Sequence, residues 1–327
     1  MQYKRHVLAC RNRYADSFAQ RLRQCAQQSA NGESQRNRSV ITVPFDEKEW
    51  RLGVKKTIAV LCCALLLVLG LPTGSVRAQT QDVVFAGAGD IARCGPDNLF
   101  YPQATAALLD SIPGSVFAIG DLAYVDGLET ESNRCFDATC GRHRAAGDPT
   151  KGYYSFNYGA WHVVVLNSVC TLAPTLPGGC TATSPEGQWL QADLAANPTA
   201  CTAALWHTPL YTSTSANATP AVQPFWQILY NGGADLVING HAHNYERFAP
   251  QDPNGNLDAV NGIREFVVGT GGESLMSFGT TIAANSEVRN STTHGVIQFT
   301  LHATSYDWQF IPVAGQTFTD SGTQACH

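Results

Sequence analysis

Four short apolar runs in this chain each close on side chains able to bind a cation. Val83–Ala88 ends at Gly89-Asp90, Ser115–Ile119 at Gly120-Asp121, Thr202–Trp206 at His207, and Asp235–Ile238 leads into Gly240-His241-Ala242-His243. Short apolar runs bounded by glycine or proline read as buried strands. A strand end is a rigid place from which to aim a ligand. Glycine before a ligand lets backbone come close, and the small Ala242 leaves room between the two imidazoles.

The segments between these runs set the fold class. Gln103–Ser111 has helix-forming composition. Ser184-Pro185 starts a second helix, as N-cap and first-turn residues, that runs to about Ala196. A third begins at Thr219-Pro220, places Val222, Phe225, Trp226 and Leu229 at helical spacing, and stops at Asn231-Gly232-Gly233. Tyr153–Phe156 and Trp161–Leu166 read as a hairpin turning at Asn157-Tyr158-Gly159. Glu265–Val268, Val296–Leu301 and Tyr306–Ile311 make the last part strand-rich. Strands alternating with helices and then β-structure predict an α/β fold in which helices cover sheets.

The first quarter reads differently. Residues 1–53 are basic and polar, with no apolar periodicity, and are expected to be non-globular. Lys55-Lys56 precede an apolar stretch of roughly 15 residues, Thr57 to Leu71, and a small-residue exit at Val76-Arg77-Ala78, which together describe a secretory signal over residues 54–78. A membrane span needs about 20 apolar residues. The expected mature domain is therefore residues 79–327, secreted or periplasmic, with no stable membrane association after processing. A signal that begins at residue 54 also raises the hypothesis that residues 1–53 are upstream sequence and untranslated; peptides from them in cells would refute it.

Beyond residue 78 only 8 Lys and Arg stand against 21 Asp and Glu. That balance offers no footprint for a phosphate backbone, so nucleic acid is not an expected partner. About 250 residues suffice for one core. Seven cysteines fall in this part, Cys94, Cys135, Cys140, Cys170, Cys180, Cys201 and Cys326, none at zinc-knuckle spacing. Cys170 and Cys180 flank a Pro/Gly loop and are the best candidate pair in an exported chain.

Two carboxylates and three imidazoles exceed the needs of one tetrahedral zinc. They suit two cations about 3.5–4 Å apart that share a carboxylate. Each aspartate alone is more often a turn residue than a ligand, and a buried tyrosine at a strand end is common. The combination is what points to ligation. His162 lies among valines and is expected to be a hydrogen-bonded core residue; His143, His294, His302 and His327 are expected to be structural or exposed.

Gly89-Asp90-Ile91-Ala92, Gly120-Asp121-Leu122-Ala123-Tyr124, Trp206-His207-Thr208-Pro209 and Gly240-His241-Ala242-His243-Asn244-Tyr245-Glu246-Arg247 resemble four of the five motifs of the calcineurin-like metallophosphoesterases, and most closely those of the purple acid phosphatase branch. The resemblance covers roughly residues 82–311 and implies an α/β/β/α sandwich of two mixed sheets flanked by helices. It implies a phosphatase that hydrolyses small phosphomonoesters by attack of metal-bound hydroxide. Asp90, Asp121, Tyr124 and His243 would hold the first metal, Asp121 would bridge, and His207 and His241 would hold the second. Asp121, His207 and His243 are the expected catalytic residues. The Tyr124 phenolate marks ferric iron in that branch, and imidazoles suit zinc, iron or manganese, so the expected cofactors are iron plus zinc, manganese or a second iron. Glu246 and Arg247 would fix the histidine loop.

The chain departs from the family at the third motif. No Asn-His dipeptide occurs anywhere, although Gly-Asn-His followed by Asp or Glu belongs between Tyr124 and Trp161. His143 is a poor substitute because Arg142, its neighbour, cannot coordinate a cation. Loss of one proton-transfer group costs about 10²–10⁴ in rate. A phosphodiesterase or nucleotidase of the same fold, and a metal- or phosphate-binding protein without turnover, therefore stand beside the phosphatase reading.

Overall fold

A computed structural model describes residues 7–11, 81–93, 100–124, 151–170, 178–214 and 217–327. Residues 54–78, Cys94, Cys135, Cys140 and His143 lie outside the described residues, as does the place of the third motif. Residues 80–327 together with 1–15 make one unit, and residues 16–79 a second, undescribed one.

Two sheets carry the first unit. In the six-stranded sheet, β1 (Val7–Arg11), β2 (Val83–Ala88), β4 (Ser115–Ile119), β13 (Gly295–Leu301), β14 (Ser305–Pro312) and β15 (Ser321–Ala325) run in the order β1-β4-β2-β13-β14-β15. The seven-stranded sheet holds β6 (Tyr154–Tyr158), β7 (Trp161–Val165), β8 (Cys201–Leu205), β9 (Leu236–Asn239), β10 (Tyr245–Phe248), β11 (Arg264–Val268) and β12 (Ser286–Asn290), ordered β12-β10-β11-β9-β8-β7-β6. A two-stranded parallel ribbon, β3 (Ala92–Arg93) with β5 (Ala123–Tyr124), extends from the ends of β2 and β4.

Parallel neighbours need crossovers, and helices supply them. Helix α1 (Phe100–Ser111) follows β2 and precedes its parallel neighbour β4. Helices α2 (Pro185–Ala196) and α3 (Gln223–Asn231) connect β7 to β8 and β8 to β9, each a parallel pair, and pack on one another. Ser184 caps α2, its hydroxyl accepting the Gly187 N–H at 3.1 Å.

Aromatic side chains join the two sheets. Phe266 of β11 meets Phe299 of β13 with ring centroids 5.2 Å apart, Trp161 of β7 meets Tyr306 of β14 at 5.6 Å, and Tyr245 of β10 meets Phe310 of β14 at 4.8 Å. All six rings are fully buried. Phe266→Ala would cost about 3–5 kcal/mol, because so crowded a site cannot collapse around the cavity.

Three boundaries differ from the sequence reading. Helix α1 starts at Phe100, three residues before Gln103, since Pro102 is tolerated within a first turn. The hairpin turns at Gly159-Ala160, so that Tyr158 pairs with Trp161. Tyr158 is held extended there: its hydroxyl donates to the Val84 carbonyl at 3.0 Å and accepts the Ser115 N–H at 3.1 Å. The segment at Thr219-Pro220 opens as a 3-10 turn, Pro220–Val222, before α3 begins.

Cys170 and Cys180 are disulfide-bonded, as their flanking loop suggested, and Cys201 is bonded to Cys326. The second bridge ties β8 to the chain end across 125 residues and had no local sequence signal. His162 is a buried hydrogen-bonded residue, held between Asn157 Oδ1 at 2.8 Å and Asp193 Oδ2 at 2.7 Å. No helix among the described residues is long and apolar enough to cross a membrane.

Candidate metal centre

The site gathers where four strands end. β2 and β4 leave the six-stranded sheet into Asp90 and Asp121, while β8 and β9 leave the seven-stranded sheet into His207 and the 240–244 turn. Strand C-terminal ends are where α/β folds build ligand sites. Backbone hydrogen bonds lock the turns together: Asp90 N–H donates to the Gly120 carbonyl at 3.3 Å, Ile91 to Asp121 at 2.9 Å, and Gly240 to His207 at 2.9 Å.

The close approach explains two glycines. A Cβ on Gly120 would lie 2.6 Å from His207 Nδ1, and one on Gly240 would lie 2.6 Å from Asp90 Oδ2. Asp90, Asp121 and His241 themselves hold left-handed backbone, with φ of 58°, 45° and 68°. Non-glycine residues in that region carry a strain of about 1–3 kcal/mol each.

Two triads form. In the first, the Tyr124 hydroxyl donates to Asp90 Oδ1 at 2.7 Å and lies 3.1 Å from His243 Nε2, which is itself 3.3 Å from Asp90 Oδ1. Asp90 Oδ2 accepts the His241 backbone N–H at 2.7 Å. In the second, Asp121, His207 and His241 present ligand atoms within 4.8 Å of one another. The His207 and His241 rings meet edge-on, centroids 5.1 Å apart, and His207 Nε2 is 3.4 Å from Asp121 Oδ1.

The outer nitrogens of two imidazoles are fixed by carbonyls. His207 Nδ1 is 2.8 Å from the Ile119 carbonyl, and His243 Nδ1 is 2.9 Å from that of Ser274. A carbonyl only accepts, so each Nδ1 carries hydrogen and each Nε2 is turned into the site. His207 Nε2 is buried and makes no hydrogen bond there. Such an orphan costs free energy unless something occupies its lone pair or proton. Oxygen and imidazole donors around it fit a divalent or trivalent cation.

Charge coupling runs through the cluster. Burial alone would raise the Asp90 carboxyl, but the His207 and His243 imidazoles outweigh it and hold the group below the usual carboxylate range. Burial would lower both imidazoles; instead Asp121 and Asp90 pull His207 up, and Asp90 pulls His243 up. Burial and then the charges of Asp90 and Asp121 push the Tyr124 phenol far up, so it is neutral and donating. Asp121 thus acts on Tyr124 and on His207, one member of each triad.

Glu246 and Arg247 brace the turn from behind. Glu246 is fully buried and accepts from Thr212 Oγ1 at 3.1 Å, Ser213 N at 2.7 Å, the Ser213 hydroxyl, and Ser286 Oγ at 2.5 Å. The braced segment returns the favour through Thr214, whose hydroxyl oxygen accepts from Asn244 Nδ2 at 2.6 Å. Arg247 pairs with Asp320 at 2.7 Å and with Glu287, and lies over Trp308.

Sequence reading gave Arg93, Tyr101, Glu273 and Ser274 no role and left His294 as structural or exposed; the five line one cleft that meets the first triad through Ser274 and Arg93. Ser274 supplies the carbonyl for His243, and the Arg93 guanidinium is 5.7 Å from the Tyr124 ring centroid. A two-residue strand leaves no periodic signal for Arg93. The run Gly269-Thr270-Gly271-Gly272-Glu273-Ser274 after β11 was the available cue, since a glycine-rich strand exit resembles the other three.

No protein-family model matches this chain. Its fold is nonetheless that of the calcineurin-like metallophosphoesterases: purple acid phosphatase PPD1 from yellow lupin seeds superposes with a TM-score of 0.57 at 16% identity, over 76% of this chain and 54% of that one. Sequence relatives sharpen the relationship to the purple acid phosphatases. Purple acid phosphatase 15 of Arabidopsis thaliana is 31% identical over 150 residues, 43% of this chain and 26% of that protein. Acid phosphatase A of Cryphonectria parasitica is 30% identical over 178 residues, 48% of this chain and 35% of that protein. The chain thus spans well under half the length of either relative.

Proposed function

We propose that this protein is an exported dinuclear metallophosphatase that hydrolyses phosphomonoesters of small molecules. The observation that carries the reading is the convergence of Asp121, His207 and His241 ligand atoms within 4.8 Å of one another, tied to the Asp90–Tyr124–His243 triad by the His241 N–H bond to Asp90 Oδ2. The Asp121 carboxylate, so placed, suits a bridge between two cations. Asp90, Tyr124, His243 and Asp121 would hold one, and His207, His241 and Asp121 the other. Two such cations, when bound, supply charge neutralisation for a phosphoryl group and lower the pKa of a water.

The chain's own residues do the positioning. Ile119 and Ser274 orient His207 and His243 with Nε2 inward. The His241 N–H holds Asp90 Oδ2, which leaves Oδ1 to face Tyr124 and His243. Tyr124, once deprotonated, is a hard oxygen suited to ferric iron, and the imidazoles suit zinc, manganese or ferrous iron. Two disulfides among the described residues support an oxidising compartment, and so export.

One observation favours a second reading, a metal- or phosphate-binding protein without turnover: the chain contains no Asn-His dipeptide. Hydrolysis of an aryl phosphate by the full chain, measured beside metal analysis, separates the two. Turnover that chelation abolishes and re-metallation restores is the expected result. Two bound metals with no turnover of mono- or diesters would overturn it.

A further inference from the structure

We propose that the cleft beside Tyr124 and His243 is a subsite for a planar aromatic leaving group, and that Phe100 and Tyr101 select it. The inference rests on the phosphatase reading and deepens it. Arg93, Phe100, Tyr101, Glu273, Ser274 and His294 line an open cleft of about 160 Å³. About 150 Å³ is enough to take a benzene ring.

Two contacts join the cleft to the first triad. The Ser274 carbonyl holds His243, and the Arg93 guanidinium lies over the Tyr124 ring. Arg93 is anchored from inside: its Nε reaches both oxygens of Glu273, at 3.0 and 2.9 Å, and Glu273 also accepts the Ser274 N–H at 2.8 Å. A fixed cation between cleft and triad suits an ester whose phosphate sits on the metal side and whose organic group sits on the cleft side.

The remaining walls are aromatic. Tyr101 stacks on His294 with centroids 3.8 Å apart and planes 17° apart, and Phe100 meets Tyr101 edge-on at 5.1 Å. His294 Nε2 is 3.0 Å from the Glu273 carbonyl, and burial pushes this imidazole down, so the stack is uncharged. Phe100 is 66% exposed at the first turn of α1. An exposed ring beside a preformed stack gives a fourth ring a place to pack, whereas an aliphatic group would gain only area.

Calorimetric titration of the metal-loaded full chain with phenylphosphonate and methylphosphonate tests this. Phenylphosphonate is expected to bind about tenfold more tightly. Phe100→Ala should erase most of that preference and leave methylphosphonate affinity unchanged; Leu257→Ala, a remote exposed apolar site, should keep it. Equal affinities in the unaltered protein, an unchanged ratio in Phe100→Ala, or no binding of either probe would overturn the subsite. Selective phenylphosphonate binding with no ester turnover would sink the phosphatase reading alone, and turnover without phosphonate preference would sink the subsite alone.

Discussion

The Tyr124 hydroxyl donates to Asp90 Oδ1 at 2.7 Å while lying 3.1 Å from His243 Nε2, so a phenol closes the first triad. That arrangement makes a spectroscopic statement. Iron-loaded protein should absorb in the visible through a phenolate-to-iron transition, and Tyr124→Phe should lose the band while the second site keeps its metal. An identical spectrum in the variant would remove Tyr124 from the ligand set.

Asp121→Asn tests the bridge. An amide cannot serve two cations as a carboxylate does, so both metals should be lost together, with affinity down more than about 100-fold. Elemental analysis after dialysis gives the result. Retention of one or both ions would show that the residue spans nothing.

Glu246 is a structural rather than chemical support. Its buried carboxylate collects four hydrogen bonds from the 212–213 segment and Ser286. Glu246→Ala leaves those donors unmet and should cost about 3 kcal/mol in urea denaturation. A loss under about 1 kcal/mol would mean that the segment docks without it.

Stability should depend on pH through Glu186. Burial pushes this carboxyl up to about 8, against a single opposing hydrogen bond from the Asn167 N–H. The folded state therefore keeps a proton that the unfolded chain releases near pH 4.5. Its contribution is complete below that pH and declines as pH rises toward 8, on the order of 1 kcal/mol per pH unit. Glu186→Gln should flatten the unfolding free energy across that window. A parallel slope in both proteins would refute the assignment.

The two disulfides should differ in worth. Chain-entropy arguments give about 5 kcal/mol for the 125-residue closure by Cys201–Cys326 and about 3 for the 10-residue closure by Cys170–Cys180. Melting of the two Cys→Ala pairs ranks them. Equal losses would mean that native-state effects dominate.

Strand ends were legible because apolar runs and glycines are local signals, and five of the six candidate ligands followed from them; Tyr124 came from the motif resemblance. Strands β10, β12 and β15 were not read. Tyr245–Phe248 carries two charged residues, Glu246 and Arg247, whose partners come from distant segments, so its polarity concealed a nearly buried strand. Ser286–Asn290 and Ser321–Ala325 are polar edge strands held by pairing with β10 and β14. Arg93 escaped notice for a related reason: what makes it relevant is Glu273, 180 residues away. Only 8 Lys and Arg lie beyond residue 78, and the structure puts this one beside the Tyr124 ring of the first triad.

Left-handed backbone at Asp90, Asp121 and His241 sets folding and chemistry against each other. Asp121→Gly would relax the local conformation and leave a sturdier molecule, yet one without the carboxylate proposed to bridge the cations. Selection for heat resistance alone would then erode the proposed metal corner, so thermal screens of variants need a metal-binding measurement beside them.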